Sequence, residues 1–409
     1  MVQVTGSIPA STVPHPLHLG ENQSPQAFIT REMSIGPMQE SGQVAVFRGT
    51  RIPFEIREFP VPDPGPGAIL IKITMANVCG SDLHAWRGEY DVSGGQSQPF
   101  SRSLGHEMTG IIVKLGEGVH TDSADQPLNP GDRVVYRYFT ACGHCRACLR
   151  GRTPRCTNGL RFRYPPEQYP HFNAAYGQYY YLTPNHVIYK VPDNVSDDLA
   201  APANCALSQV IYSLEQAQAG LNDHVVIQGA GGLGINAIAV AREMGVAQII
   251  VIDGIDERLE LSREFGADQC IDIREYPKPE SRVRRVRELT DGAGADIVME
   301  LVGHPRVVPE GLEMLSPGGT YLEVGNINQN LYQEIDLSVL VHGGKSLLGI
   351  MWYDPESLLK ALQLLSTRQN QYPFHKILSH RYPLSEITTA FQEQDKGHVQ
   401  RAALLPWDE

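Results

Sequence analysis

The segment Gly229-Ala230-Gly231-Gly232-Leu233-Gly234 constrains this chain more than any other, because of what flanks it. Ahead of it Val225-Val226-Ile227 reads as a short buried strand, and behind it Gly234 to Met244 reads as an apolar helix. The glycines permit a tight turn, close approach of backbone to a pyrophosphate and close packing of helix on strand, while the helix N-terminus offers free N–H groups. Ile249-Ile250-Val251-Ile252 is a second strand ending on Asp253, 19 residues beyond Gly234. That is near the spacing of about 20 at which a carboxylate meets ribose hydroxyls. An ordinary glycine-rich turn has no need of that carboxylate, so this βαβ unit is expected to bind a dinucleotide through Gly229, Gly231, Gly232, Leu233, Gly234 and Asp253. A carboxylate there favours NAD, because the extra 2′-phosphate of NADP meets like charge and neither Gly254 nor Ile255 is basic.

Strand signals at Ile297-Val298-Met299 and Thr320-Tyr321-Leu322-Glu323-Val324 continue the alternation to about Gly349. Residues 207–349 are therefore read as a doubly wound parallel sheet, the α/β coenzyme domain. From residue 43 to residue 206 the texture differs, with short strand signals such as Val44-Ala45-Val46-Phe47 and Ile69-Leu70-Ile71-Lys72-Ile73 set among many Gly and Pro. That pattern points to an irregular, β-rich unit. Residues 350–409 are too few for a typical domain and are expected to return to residues 43–206, making one discontinuous domain. Residues 1–42 are polar, carry Pro9, Pro14, Pro16, Pro25 and Pro37, and read as an extension that buries little surface.

A net charge of −12, from 34 Lys and Arg against 46 Asp and Glu, opposes a phosphate-binding surface, so no nucleic-acid partner is expected. The first 30 residues contain neither Lys nor Arg. No apolar run approaches the roughly 20 residues that span a bilayer. A cytoplasmic protein without a membrane partner is the expectation.

In a reducing compartment crowded cysteines suggest metal rather than disulfides. Four of the seven cysteines, Cys142, Cys145, Cys148 and Cys156, follow a Cys-x2-Cys-x2-Cys-x7-Cys spacing that lets one loop wrap a tetrahedral ion. The ferredoxin run needs a last spacing of three residues and a following proline, so structural zinc is preferred to an iron–sulfur cluster. Arg146, Arg150, Arg152 and Arg155 lie among the thiolates and offset a site charge of about −2. Cys79 and His106 add a second constellation. Cys79-Gly80-Ser81-Asp82-Leu83-His84 follows a strand, and Gly105-His106-Glu107 turns into another, which makes Cys79 and His106 candidate zinc ligands with a third still to be found. Cys270 reads as a small strand residue.

These motifs, in this order, resemble the zinc-containing medium-chain dehydrogenases, the family of alcohol, sorbitol and threonine dehydrogenases, from about Gln43 to the C-terminus. The resemblance implies a GroES-like β-rich catalytic domain joined to the Rossmann domain. It implies that Cys79 and His106 hold a catalytic zinc, that Cys205 aligns with the third ligand, that Asp82 supports the ligands, and that Glu107 sits near or alternately on the metal. Ser81 matches the hydroxyl that starts a proton relay, and His84 matches the histidine that ends it. Arg258 matches a basic position near the adenosine ribose. The chain departs from the polyol branch at Pro202-Ala203-Asn204-Cys205, where that branch has a glutamate, and in the insertion from Arg161 to Ala175.

The implied activity is NAD-dependent interconversion of a secondary or functionalised alcohol with its carbonyl compound, by a homodimer or homotetramer holding two zinc ions per chain. A polyol, amino alcohol or biosynthetic intermediate is the alternative substrate. A nucleotide-sensing or structural protein that lost the chemistry is the alternative of a different class, and the joint presence of Cys79, Ser81, His84, His106 and Cys205 argues against it.

Overall fold

A computed structural model of the chain describes residues 39–93, 95–159 and 165–408. The expected extension up to residue 38 and residues 161–164 of the insertion lie outside the described residues. The first strand, Ser41–Phe47, opens two residues before the β-rich unit was expected to begin.

Six parallel strands form one sheet, ordered Gln269–Asp272, Gln248–Asp253, His224–Gln228, Ala295–Glu300, Leu315–Glu323 and Ser346–Gly349. In chain order that is third, second, first, fourth, fifth, sixth, the arrangement of a doubly wound dinucleotide-binding sheet. The central strands carry unbroken apolar runs, such as Val225-Val226-Ile227 and Ile249-Ile250-Val251-Ile252, because both faces are covered. Val225 and Ile227 point into a core shared with Ile235 and Ile238, whereas Val226 between them joins Val286, Val298 and Leu312 on the other face. The helix after the first strand runs Gly232–Glu243, starting two residues earlier than expected because Gly231 is its N-cap.

The β-rich half contains a seven-stranded sheet and a three-stranded one. In the larger sheet Ile69–Asn77 pairs antiparallel with Glu107–Leu115, and Asn77 stands opposite Glu107. This register matters chemically, since the residues just after the first strand and just before the second emerge at the same end of the sheet. Ala402–Leu405, from the far end of the chain, adds antiparallel to Ile69–Asn77 with Ala403 opposite Asn77. Val78 N–H donates to Ala402 O at 2.9 Å, so Arg401 emerges at that same sheet end. No helix among the described residues is long and apolar enough to cross a membrane.

Helix and strand meet most closely at Gly234, where an added Cβ would lie 2.0 Å from Gly229 O. Gly234→Ala therefore forces the first turn of the helix off the glycine loop, and overpacking of this kind costs about 1–3 kcal/mol. A lower thermal midpoint together with weaker NADH binding by fluorescence titration is expected. Gly231→Ala, where an added Cβ meets nothing within 4 Å, is expected to keep the wild-type midpoint. Equal midpoints for the two variants would remove the packing argument.

Candidate active site

The shared sheet end assembles four donor side chains. Cys79 follows Ile69–Asn77 by two residues, and His106 and Glu107 stand at the start of Glu107–Leu115. Cys205 comes from a helical turn, Ala203–Leu207, that is fixed by its neighbour Asn204. Asn204 Nδ2 donates to Tyr136 O at 2.9 Å, and the Tyr353 hydroxyl donates to Asn204 O. One ligand atom each from Cys79, His106, Glu107 and Cys205 fall within 4.8 Å of one another.

The sulfur spacing tests whether this donor set suits zinc. Cys79 Sγ and Cys205 Sγ are 3.8 Å apart. Zinc–sulfur bonds of about 2.3 Å in tetrahedral geometry put sulfurs about 3.8 Å apart. In the four-cysteine loop Cys145 Sγ lies 3.5 Å from Cys148 Sγ and 3.9 Å from Cys156 Sγ, and all four sulfurs fall within 4.8 Å of one another. All of these separations exceed the roughly 2.05 Å of a disulfide. Backbone N–H groups of Cys142 and Cys145 donate to Cys156 Sγ and Cys142 Sγ, each at 3.3 Å, the direction that stabilises thiolates. Both sets fit zinc in donor type and spacing.

Charge in the first set is tightly balanced. His106 Nδ1 faces Asp82 Oδ1 at 3.4 Å. The other Asp82 oxygen accepts from Cys79 N–H at 3.1 Å and the Tyr176 hydroxyl at 2.8 Å. That locks the imidazole with Nε2 inward, where the Ser81 hydroxyl is 3.5 Å away. Burial disfavours imidazolium at His106, but Asp82 and the Cys79 thiolate together overcome it and raise the pKa well above its usual value. The hydrogen bond from Cys205 holds the Cys79 thiol well below the ordinary range, against its burial, and Cys205 is correspondingly pushed up. A divalent cation between the two sulfurs would replace the proton of the hydrogen bond that joins them.

Glu107 is fully buried, with Oε1 accepting from Arg401 Nη2 at 2.6 Å. Its Oε2 and Arg401 Nη1 have no hydrogen-bond partner among the described residues. Arg401 Nη1 lies 2.8 Å from where a Cβ on Gly232 would stand, so this guanidinium spans from the donor set to the start of the helix behind the glycine loop.

At that loop Gly229 N–H donates to Ile252 O at 2.8 Å. Asp253 accepts from Ala230 N–H at 2.7 Å through Oδ2, and from Gly254 and Ile255 N–H at 2.7 and 3.0 Å through Oδ1. Its carboxylate is thus aimed by the loop itself, and Arg258 Nη1 approaches Oδ2 at 3.8 Å. Ser81 and His84 share the helix Gly80–Arg87 but are not hydrogen-bonded to each other. Cys270 lies half-buried in the strand Gln269–Asp272, bonded weakly to Leu259 O at 3.6 Å and remote from both sets in the hydrogen-bond network.

Residues 65–193 match the alcohol dehydrogenase GroES-like domain, and residues 232–367 match the zinc-binding dehydrogenase domain. The chain is 33% identical to 5-exo-hydroxycamphor dehydrogenase of Pseudomonas putida over 83% of its length and 91% of that protein. It is 30% identical to sorbitol dehydrogenase of Halalkalibacterium halodurans over 87% of its length and 96% of that protein. The solved alcohol dehydrogenase of Thermotoga maritima superposes with a TM-score of 0.83 at 29% identity, covering 89% of this chain and 99% of that one. The chain belongs to the zinc-containing medium-chain dehydrogenases. It is a zinc-dependent oxidoreductase acting on CH–OH groups, and two thiolates, one imidazole and an open position is the ligand pattern general to alcohol dehydrogenases.

Two groups of this dehydrogenase escaped the sequence reading. Arg401 carries no spacing signal, being 294 residues from Glu107. Tyr138, whose ring centroid is 4.8 Å from that of His106, precedes the four-cysteine loop as an unremarked aromatic. Removing one partner of a buried ion pair typically costs about 3–5 kcal/mol, because the other charge is left uncompensated. Arg401→Met is expected to destabilise the dehydrogenase on that scale in urea unfolding and to weaken NADH binding, and adding Glu107→Gln is expected to recover part of the stability. A wild-type unfolding midpoint for Arg401→Met alone would show that the pair contributes nothing.

Proposed function

We propose that this dehydrogenase oxidises a secondary alcohol with an apolar, ring-bearing body to its ketone, using NAD. Cys79, His106 and Cys205 hold the catalytic zinc, with Glu107 beside it, and Cys142, Cys145, Cys148 and Cys156 hold a structural zinc. The observation that carries the substrate reading is an aromatic cluster packed onto the donor set. Tyr138 stands against His106, Phe139 stacks on Trp352 at 5.1 Å between centroids, and Tyr353 packs edge-on to Phe139 and Tyr138. Tyr138 and Trp352 keep part of their surface exposed, which suits an apolar ring better than a polyol chain. The similarity to an enzyme named for a hydroxylated camphor supports the same reading.

Bound zinc supplies Lewis acidity toward the alcohol oxygen, and the nicotinamide supplies the hydride acceptor. Ser81 sits beside His106 Nε2, in position to accept the hydroxyl proton, and His84 passes it to solvent. Asp82 fixes the orientation of His106, and Arg401 opposes the burial that favours the neutral form of Glu107 in a dry site. The remaining assignments belong to the same reading. The catalytic domain comprises residues 43–206 and 350–409 and the coenzyme domain residues 207–349, supported by the pairing of Ala402–Leu405 with Ile69–Asn77. The enzyme works in the cytoplasm as a homodimer or homotetramer. Support for assembly comes from exposed Tyr332, Leu337 and Val341 in the segment leading to the edge strand Ser346–Gly349, and from exposed Leu347 within it.

The test is NADH absorbance across cyclic secondary alcohols, primary alcohols, polyols and threonine, on protein whose zinc has been counted. Highest kcat/KM for cyclic secondary alcohols is expected, with two zinc ions per chain in the wild type and one in Cys145→Ser. Best turnover of a polyol or threonine sinks the substrate reading, and one zinc per wild-type chain sinks the two-site assignment.

The same assay with NADP is expected to be poorer, since Asp253 meets the 2′-phosphate with like charge. Asp253→Ser is expected to narrow or invert that ratio, with Arg258 supplying residual attraction. A wild-type preference for NADP would overturn the role given to Asp253.

A further inference from the structure

His84 is gripped by two side chains that the sequence reading did not use. The helix Gly80–Arg87 ends at Gly88, whose φ of 77° is left-handed, with Gly88 N–H donating to Ala85 O at 3.1 Å and Glu89 N–H to His84 O at 2.9 Å. This paired bonding is a Schellman closure, which folds the residue after the glycine back onto the residue five positions earlier, a contact more often made between apolar side chains. Here the two residues are Glu89 and His84, and Glu89 Oε2 contacts His84 Nδ1. From beyond the parallel strand Leu315–Glu323, Asn328 Nδ2 reaches to 3.3 Å from His84 Nδ1 and 3.4 Å from the same Glu89 oxygen.

Donor counting settles the tautomer. An amide nitrogen only donates and an ionised carboxylate only accepts. Were Nδ1 to accept from Asn328, its lone pair would face Glu89 Oε2. With the proton on Nδ1, imidazole and amide both donate to Glu89, and Nε2 keeps its lone pair. Nε2 faces the Gly303 turn, 4.0 Å from where a Cβ on Gly303 would stand.

We propose that Glu89 is a positioning residue of the proton relay, holding His84 with Nε2 open to the incoming proton and stabilising the imidazolium that results, while Asn328 fastens the pair to the coenzyme half. The inference rests on the reading of His84 as the relay's outer member. The alcohol proton arrives at Nε2, the positive charge is shared with the Glu89 carboxylate, and the proton leaves to water. The surrounding charges are few. Arg87 Nη1 lies 3.8 Å from Glu89 Oε1 but is also engaged by Asp395, which in turn takes Arg51. On the coenzyme side Glu300, with Glu323 beside it, is occupied by the Val302 and Gly303 N–H groups at 2.7 Å. His84 and Glu89 side chains are 24% and 37% exposed, so solvent moderates the effect without removing it.

The experiment compares the pH profile of kcat for alcohol oxidation in zinc-loaded wild type, H84N, E89Q, E89D and N328A. H84N is expected to lose the ascending limb that reports a base accepting the proton. E89Q is expected to slow turnover, because the imidazole loses the carboxylate that orients it, and E89D is expected to recover part of the loss. The E89Q plateau is expected to fall about tenfold, a fraction of the roughly 10²–10⁴-fold typical of a general acid–base group, with KM unchanged. N328A is expected to lower the plateau less than E89Q does. A wild-type kcat in E89Q, with the limb lost in H84N, overturns the proposal alone. A wild-type profile in H84N overturns the relay reading and this proposal with it.

Discussion

The ion pair between Arg401 and Glu107 is the contact on which the geometry of the site converges. A carboxylate in a dry interior next to two thiols is costly by itself, since burial pushes its pKa up and neighbouring thiolate pushes it further. Arg401 opposes both effects, and its arrival depends on the last strand of the chain joining the sheet that carries Cys79 and His106. The fully assembled donor set is therefore not a local motif dropped onto a fold. Arg401 reaches Glu107 only when residues near the C-terminus have paired with residues near position 77, a long loop to close before the contact rewards it.

The same guanidinium lies against the first turn of the helix behind the glycine loop, so donor set and coenzyme sheet share one charge. A pyrophosphate brought to that helix N-terminus meets the helix dipole and a fixed cation together. Its anion adds to a site already carrying thiolates, carboxylate and imidazole, which makes the balance of charge between cation, zinc and dinucleotide a property of the assembled cleft rather than of any one residue.

What could be read in advance followed distance along the chain. The glycine loop with Asp253 and the four-cysteine run are each confined to a short segment, and local spacing carried their chemistry. Cys79 and His106 are 27 residues apart and gain meaning only from strand register, Asn77 opposite Glu107, which no periodicity displays. Cys205 is 126 residues from Cys79 and came from family resemblance alone. Arg401 and Tyr138 were invisible for a plainer reason, because a single arginine or tyrosine has no partner spacing to betray it. The last strands show the converse error. The fifth parallel strand opens at Leu315 rather than Thr320, since Ser316-Pro317-Gly318-Gly319 look like a turn but are absorbed as an irregularity between the Ala295–Leu315 and Ile297–Thr320 pairs.

The Schellman closure after Arg87 shows how a structural device acquires chemical use. A glycine that ends a helix normally brings two apolar side chains together to seal the turn. With histidine and glutamate at those positions the same backbone geometry aims a carboxylate at one imidazole nitrogen and leaves the other free, at no further conformational cost. Asn328 then ties that pair to the sheet holding the coenzyme. The His84 contact, like that of Arg401, is thus completed across the two halves of the molecule, so the proposed proton relay depends on how those halves pack.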